Sequence, residues 1–193
     1  MNKSASIDMI DFLIKSKADV NANNRVREIP LHLASKNQCS IEILQLLVES
    51  KSNINHQSQL KKNVLHAVCE ISNQSHYDII KFLIESKSEL NSQDYLGHTV
   101  LHDACRNISI PLNTIQLLIE SKSSLASVNR EKTTPLHYAS FHRQPFEIIK
   151  CLIEGKADIK LKDVYGSLPL SWALKNEEIC SRLNEYLEQN NLK

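Results

Sequence analysis

Residues that break helices are scarce in this sequence, with 3 Gly and 5 Pro among 193 residues. So few breakers predict a mostly helical chain, and three scattered glycines build no phosphate-cradling loop. Cysteine is also scarce. The five cysteines are an odd number with no close pair, which argues against a disulfide framework and for a reducing setting, cytoplasmic or nuclear. Long apolar runs are missing too. The apolar stretch near the N-terminus is interrupted by Asp8, Asp11 and Lys15, too polar for a signal-peptide core or a membrane span. Asn2 stands where the usual myristoylation signal needs Gly. The formal net charge is only +1, so no whole-chain field draws nucleic acid or an anionic membrane. What remains, at 41% hydrophobic and 23% charged residues, is the composition of a globular domain of ordinary size.

Internal repetition organises the chain. The segment 13–21, LIKSKADVN, recurs as LVESKSNIN, LIESKSELN, LIESKSSLA and LIEGKADIK. Its anchor lysines Lys17, Lys51, Lys87, Lys122 and Lys156 are 34, 36, 35 and 34 residues apart. A second marker, Leu-His, falls at Leu31-His32, Leu65-His66, Leu101-His102 and Leu136-His137, with Leu170-Ser171 completing the series at the same steps. The distance from each lysine to the next marker leucine is 14 in all five cases, so length varies only between the marker and the following lysine. Helical apolar spacing over residues 41–48 and 79–84 puts a longer helix B there, after a shorter helix A that starts near the marker. The variation therefore belongs to the loop between the two, around residues 71–76 and 108–113. Each unit is a turn, helix A, a loop and helix B, and only a stack of such units buries its apolar faces.

At this point the sequence resembles the ankyrin-repeat family. The resemblance rests most fully on Asn129-Arg130-Glu131-Lys132-Thr133-Thr134-Pro135-Leu136-His137-Tyr138-Ala139-Ser140, and next on residues 94–102, DYLGHTVLH. It implies an all-α ankyrin-repeat solenoid over residues 1–193. A partial N-terminal unit spans 1–23, full repeats span 24–57, 58–93, 94–128 and 129–162, and a capping unit spans 163–193. The first helix has no helix A before it, which makes it either a minimal cap or part of something longer. Thr134 is placed to cap helix A, with Pro135 at the first turn where its missing N–H costs nothing. The sequence departs from the family where helix B ends: the family uses Gly, and these repeats use Lys. A non-Gly residue in the left-handed conformation costs roughly 1 kcal/mol, partly offset by a cation at the helix C-terminus.

Four histidines in register suggest a metal or proton relay. The resemblance assigns them instead to the turn of their own unit and the backbone of a neighbour. His98 and His102 have the spacing of a zinc pair but lack the Glu of the metalloprotease pattern. Cys69 and Cys105 share a position filled elsewhere by Ser35 and Ser140, and Cys151 aligns with core residues, so packing is expected of them. No catalytic constellation, metal set or cofactor motif stands out, and a non-enzymatic protein is expected. Leu13-x5-Asp19-Val20-Asn21 and Leu83-x5-Glu89-Leu90-Asn91 resemble the sequence read by the asparaginyl hydroxylase of animal ankyrin repeats. That would make Asn21 and Asn91 hydroxylation sites, unless Asn simply stabilises the turn.

The family binds partner proteins across its turn tips and the concave face of its A helices. The variable positions there include Tyr95, Leu96, Tyr138, Phe141, His142, Tyr165 and Trp172. Five of the ten aromatics of the chain fall in this set, all in the last three units. Tyr and Trp dominate many interfaces because they bury large rigid area and keep a polar edge. Packing of the last hairpin explains Tyr165 and Trp172 equally well. The tips also carry Arg25, Arg27, Lys61, Lys62, Arg130 and Lys132 against Glu28 and Glu131. Such a row suits an acidic or phosphorylated partner segment better than a nucleic-acid backbone, though solvated tips with no partner preference fit as well. The expectation is a monomeric protein-binding adaptor without small-molecule substrate or membrane contact. The alternatives are an inhibitor that occludes an enzyme surface and the targeting domain of a larger catalytic protein.

Overall fold

A computed structural model describes residues 3–37, 39–71, 77–175 and 177–191. Among the described residues there is no strand. The helices run α1 (Lys3–Lys15), α2 (Pro30–Lys36), α3 (Ile41–Glu49), α4 (Val64–Cys69), α5 (Tyr77–Glu85), α6 (Val100–Arg106), α7 (Leu112–Glu120), α8 (Pro135–Phe141), α9 (Phe146–Glu154), a 3₁₀ helix (Pro169–Lys175) and α10 (Glu177–Gln189). Short and long helices alternate and pack in two rows. α2, α4, α6, α8 and the 3₁₀ helix form the row of A helices. In the row of B helices α1 packs on α3, α5 on α7, α7 on α9, and α9 on α10.

Helices α3, α5, α7 and α9 are each 9 residues long, although the spacing between markers varies. The extra residue of the unit holding α6 is therefore absorbed between Arg106 and Leu112, without lengthening either helix. Residues 72–76, where the other insertion was expected, lie outside the described residues.

Two left-handed positions recur in each unit. The first is the anchor lysine: Lys17, Lys51, Lys87, Lys122 and Lys156 have φ of 66°, 68°, 69°, 69° and 77°. Around Lys87, Ser88 N–H donates to Leu83 C=O (3.0 Å) and Lys87 N–H to Ile84 C=O (2.9 Å), the paired bonds of a Schellman end. The second is the turn tip, where Arg27, Lys61, Gly97, Lys132 and Gly166 have φ of 61°, 58°, 85°, 57° and 78°. Only Gly97 needs glycine for space as well: a Cβ there would meet the Asn129 backbone at 3.0 Å.

Leu31, Leu65, Leu101 and Leu136 are each fully buried and line the joint between the rows. At the N-terminal end that burial is incomplete. Met9, Phe12 and Leu13 are exposed, and an apolar groove of about 300 Å³ opens among α1, α2 and α3, lined by Leu13, Pro30, Leu33 and Leu47.

Replacing a left-handed lysine by glycine removes the Cβ strain and loses one cation near a helix end. The first effect is the larger. Lys87→Gly should therefore raise stability by roughly 0.5–1 kcal/mol, read as a higher urea midpoint; a lower midpoint would contradict the strain argument.

Candidate protein-binding surface

The turn tips are built by side chains that imitate backbone. Asn24, Asp94, Asn129 and Asp163 each accept two backbone N–H bonds through Oδ1; in Asp94 these come from Leu96 and His98, both at 2.8 Å. One backbone bond joins each tip to the next: Gln59 N–H to Val26 C=O, Tyr95 to Leu60, Arg130 to Leu96, and Val164 to Glu131, at 2.8–3.1 Å. A second ladder runs beneath the B helices. Asn21, Asn55 and Asn91 each donate to the carbonyl of the next unit's lysine (Lys51, Lys87, Lys122). Each also accepts the N–H two residues beyond that lysine, at 2.7–2.8 Å. This bridging explains asparagine at Asn21 and Asn91, and at Asn55, which the hydroxylase pattern passed over because Asn53 stands where an acid is needed.

The histidines hold the A row together. In His102 the Nδ1 accepts from Thr99 N–H (3.1 Å), and Nε2–H donates to the Thr133 carbonyl of the next unit (3.0 Å). His137 repeats the arrangement with Thr134 (3.1 Å) and Ser167 (3.2 Å). Both ring nitrogens of His102 are thus spoken for, which leaves it no lone pair for a metal. His98 is likewise engaged, with Nε2 2.8 Å from the Tyr138 hydroxyl. Among the described residues no group of three His, Cys, Asp or Glu could hold a metal ion. Burial holds His66 and His102 at about 4, so both are neutral near pH 7. Burial also raises the thiols of Cys69 and Cys105, which disfavours thiolate chemistry.

The aromatic residues separate into groups. Tyr138, Phe141 and His142 on α8 meet Trp172 on the 3₁₀ helix. Phe141 lies edge-on to Trp172 (5.4 Å) and to His142 (5.1 Å), and Tyr138 stacks on His142 (5.9 Å). Phe141 is 58% exposed; Trp172 is partly buried and also packs edge-on against His137 (5.4 Å). Tyr165 stands alone on the last tip at 80% exposure, so tight packing of the last hairpin accounts for Trp172 in part and for Tyr165 not at all. Tyr95 and Leu96 are half exposed, and the Arg130 guanidinium lies 4.3 Å above the Tyr95 ring. Leu60 and Val164 add further exposed apolar side chains to the tips. The sequence expectation overlooked them, because it counted only aromatics and charges in the tip segments that contain them.

The cations also separate. Arg25, Arg27, Lys61, Arg130 and Lys132 are exposed and make no ion pair among the described residues. Lys62 differs from that expected row. It follows left-handed Lys61, its side chain is only 16% exposed, and it pairs with Glu70, 3.7 Å from Asp94 and 3.9 Å from Asp103. Its charge is consumed within the chain. Asp103 is the unusual member of this cluster. It is buried, and neither carboxylate oxygen has a hydrogen-bond partner. Burial pushes its carboxyl up to about 7 against the pull of Lys62.

The helix pairs stack in two rows behind ordered tips, and an exposed aromatic side chain stands on α8. The family profile of ankyrin repeats in three copies matches residues 2–94, 31–125, 65–163 and 101–193, and the chain belongs to the ankyrin-repeat family. No curated protein matches the chain. Ankyrin repeats are general protein–protein interaction modules and are typically non-catalytic. No helix among the described residues is long and apolar enough to cross a membrane.

The buried groups make stability depend on pH in a defined direction. His66 and His102 are depressed in the folded chain, so their contribution is complete above about 6.5 and is lost as pH falls towards 4, by at most roughly 3 kcal/mol each. Asp103 acts oppositely, because its folded value is raised and protonation relieves its burial. Asp103→Asn should raise the melting temperature more at pH 7.5 than at pH 5, and should steepen the loss of stability on acidification. Equal gains at both pH values would mean that Asp103 does not carry a raised pKa.

Proposed function

We propose that this chain is an adaptor that binds a partner protein across α8, the 3₁₀ helix and the neighbouring tips. The observation that carries this reading is the exposure of Phe141 beside the partly buried Trp172, with Tyr165 exposed on the last tip. Large aromatics left open on an otherwise well-packed A row are costly in water and favourable once a partner covers them. The cations Arg25, Arg27, Lys61, Arg130 and Lys132, exposed on three of the tips, favour an acidic or phosphorylated partner segment, acting mainly on association rate and salt dependence. Binding as a monomer suits a surface that is already assembled within one chain. The five free cysteines fit a reducing compartment, the cytoplasm or the nucleus. An inhibitory role would use the same surface and differs only in what the partner does once covered.

Phe141 and Tyr165 are the better probes: Phe141 gives up only its edge contacts with Trp172 and His142, and the Tyr165 side chain makes no hydrogen bond among the described residues. Tyr138 is not, since its hydroxyl meets His98 and Asn129 and its loss would remove a hydrogen bond from each. Phe141→Ala should weaken the captured partner by about 2 kcal/mol, roughly thirtyfold, with the helical circular dichroism unchanged. Partner binding undiminished in the double variant Phe141→Ala, Tyr165→Ala would move the interface to another face. An activity assay on the captured partner separates adaptor from inhibitor.

A further inference from the structure

Between the second, third and fourth tips lies a polar recess of about 310 Å³, walled by Lys61, Tyr95, Gly97 and Arg130, with Asp94 and Asn129 at its base. Each wall is held in place by backbone. Tyr95 N–H donates to Leu60 C=O (2.9 Å), Arg130 N–H donates to Leu96 C=O (3.1 Å), and the Gly97 backbone approaches Asn129 too closely to admit a Cβ. Gln93 closes one side by donating to the carbonyls of Gly97 and Val128, both at 3.0 Å. The recess is therefore a fixed feature of the stack rather than a gap between loose side chains.

Two cations from different tips line this space, and neither makes an ion pair among the described residues. The Arg130 guanidinium lies over the Tyr95 ring, 4.3 Å from its centroid, and that contact holds it at the recess. A stacked guanidinium keeps its in-plane N–H donors free, in the fork geometry that matches two oxygens of an oxyanion. Lys61, set by its left-handed backbone at φ 58°, adds a point charge from the second tip, two units before that of Arg130. Asp94 is the one carboxylate lining the recess among the described residues, and its charge is turned inward: Oδ1 accepts from Leu96 and His98 N–H, and Oδ2 lies 3.7 Å from Lys62. Two unpaired positive charges and an oriented bidentate donor match a doubly charged phosphate monoester more closely than a singly charged carboxylate.

We infer that this recess is a phosphate-reading subsite, which takes a phosphoserine or phosphothreonine of the partner between Lys61 and Arg130. The inference rests on the reading of the tips as partner-binding, and it adds that binding is switched by phosphorylation of the partner. It also divides the labour of the surface. The aromatic patch on α8 supplies affinity, and the recess supplies the dependence on modification.

The test uses the intact chain and two small probes, N-acetyl-phosphoserine amide and N-acetyl-glutamate amide, followed by ¹⁵N–¹H NMR at fixed ionic strength. The phosphorylated probe should give saturable shifts centred on the Gly97 and Arg130 amides. Its binding should weaken at least about tenfold in Arg130→Gln and again in Lys61→Gln. The glutamate probe should give shifts at least about tenfold weaker. Absence of saturable shifts, equal binding of the two probes, or binding unchanged in both variants would each overturn the inference. None of these results touches the aromatic surface. A partner that still depends on Phe141 but ignores the Lys61 and Arg130 variants would leave the protein-binding reading intact and remove this subsite.

Discussion

Everything in this protein depends on bonds that one repeat makes to the backbone of the next. No unit is complete alone. The imidazole of His102 reaches the carbonyl of Thr133 and that of His137 reaches Ser167. Asn21, Asn55 and Asn91 clamp both a carbonyl and an N–H one unit away. These are side chains replacing the ladder that a sheet would have provided. The histidines act where water is excluded, so a missing partner there would cost the full desolvation of the group left behind, whereas the asparagine ladder runs along the exposed edge. A stack joined in this way keeps its period even where the loops change length, and the period is what sets neighbouring tips in contact.

That constraint also explains where charge can be used. A tip residue whose side chain projects outward stays available, as Arg130 does on the ring of Tyr95. In the second tip Lys61 also stays exposed, and one position later the side chain turns towards the A row. Lys62 is drawn into the carboxylates of Glu70, Asp94 and Asp103 and no longer faces solvent. Adjacent lysines of identical chemistry thus do opposite work. Asp103 shows the cost of such a cluster: a carboxyl held near neutrality by burial, tolerated because Lys62 stands close by.

Much of this was legible beforehand. The period, the pairing of a short with a long helix, the absorption of a length change by a loop and the cap at Thr134 follow from spacing and residue type. The lysines at the helix ends were recognisable because the marker spacing was constant, and all five are left-handed. Less legible was the fate of individual polar side chains. Nothing in the tip segment QLKK distinguishes Lys61, which stays exposed, from Lys62, which does not, since the distinction comes from carboxylates 8, 32 and 41 residues away. Asn55 went unnoticed because Asn53 stands where the local pattern needs an acid, and its bonds to the next unit leave no local mark.

The sequence by itself determined the architecture, because hydrophobic spacing, caps and turn residues act over a few neighbouring positions and repeat until only a stack satisfies them. Tertiary structure decided which chemistry stays available. It left Phe141 and Tyr165 open while Trp172 became partly covered, consumed Lys62 and the nitrogens of His102 internally, and enclosed a recess between Lys61 and Arg130. The physical reason is reach. Electrostatic pairing, burial and hydrogen bonding between units depend on distances across the stack, and those distances exist only once the repeats have packed.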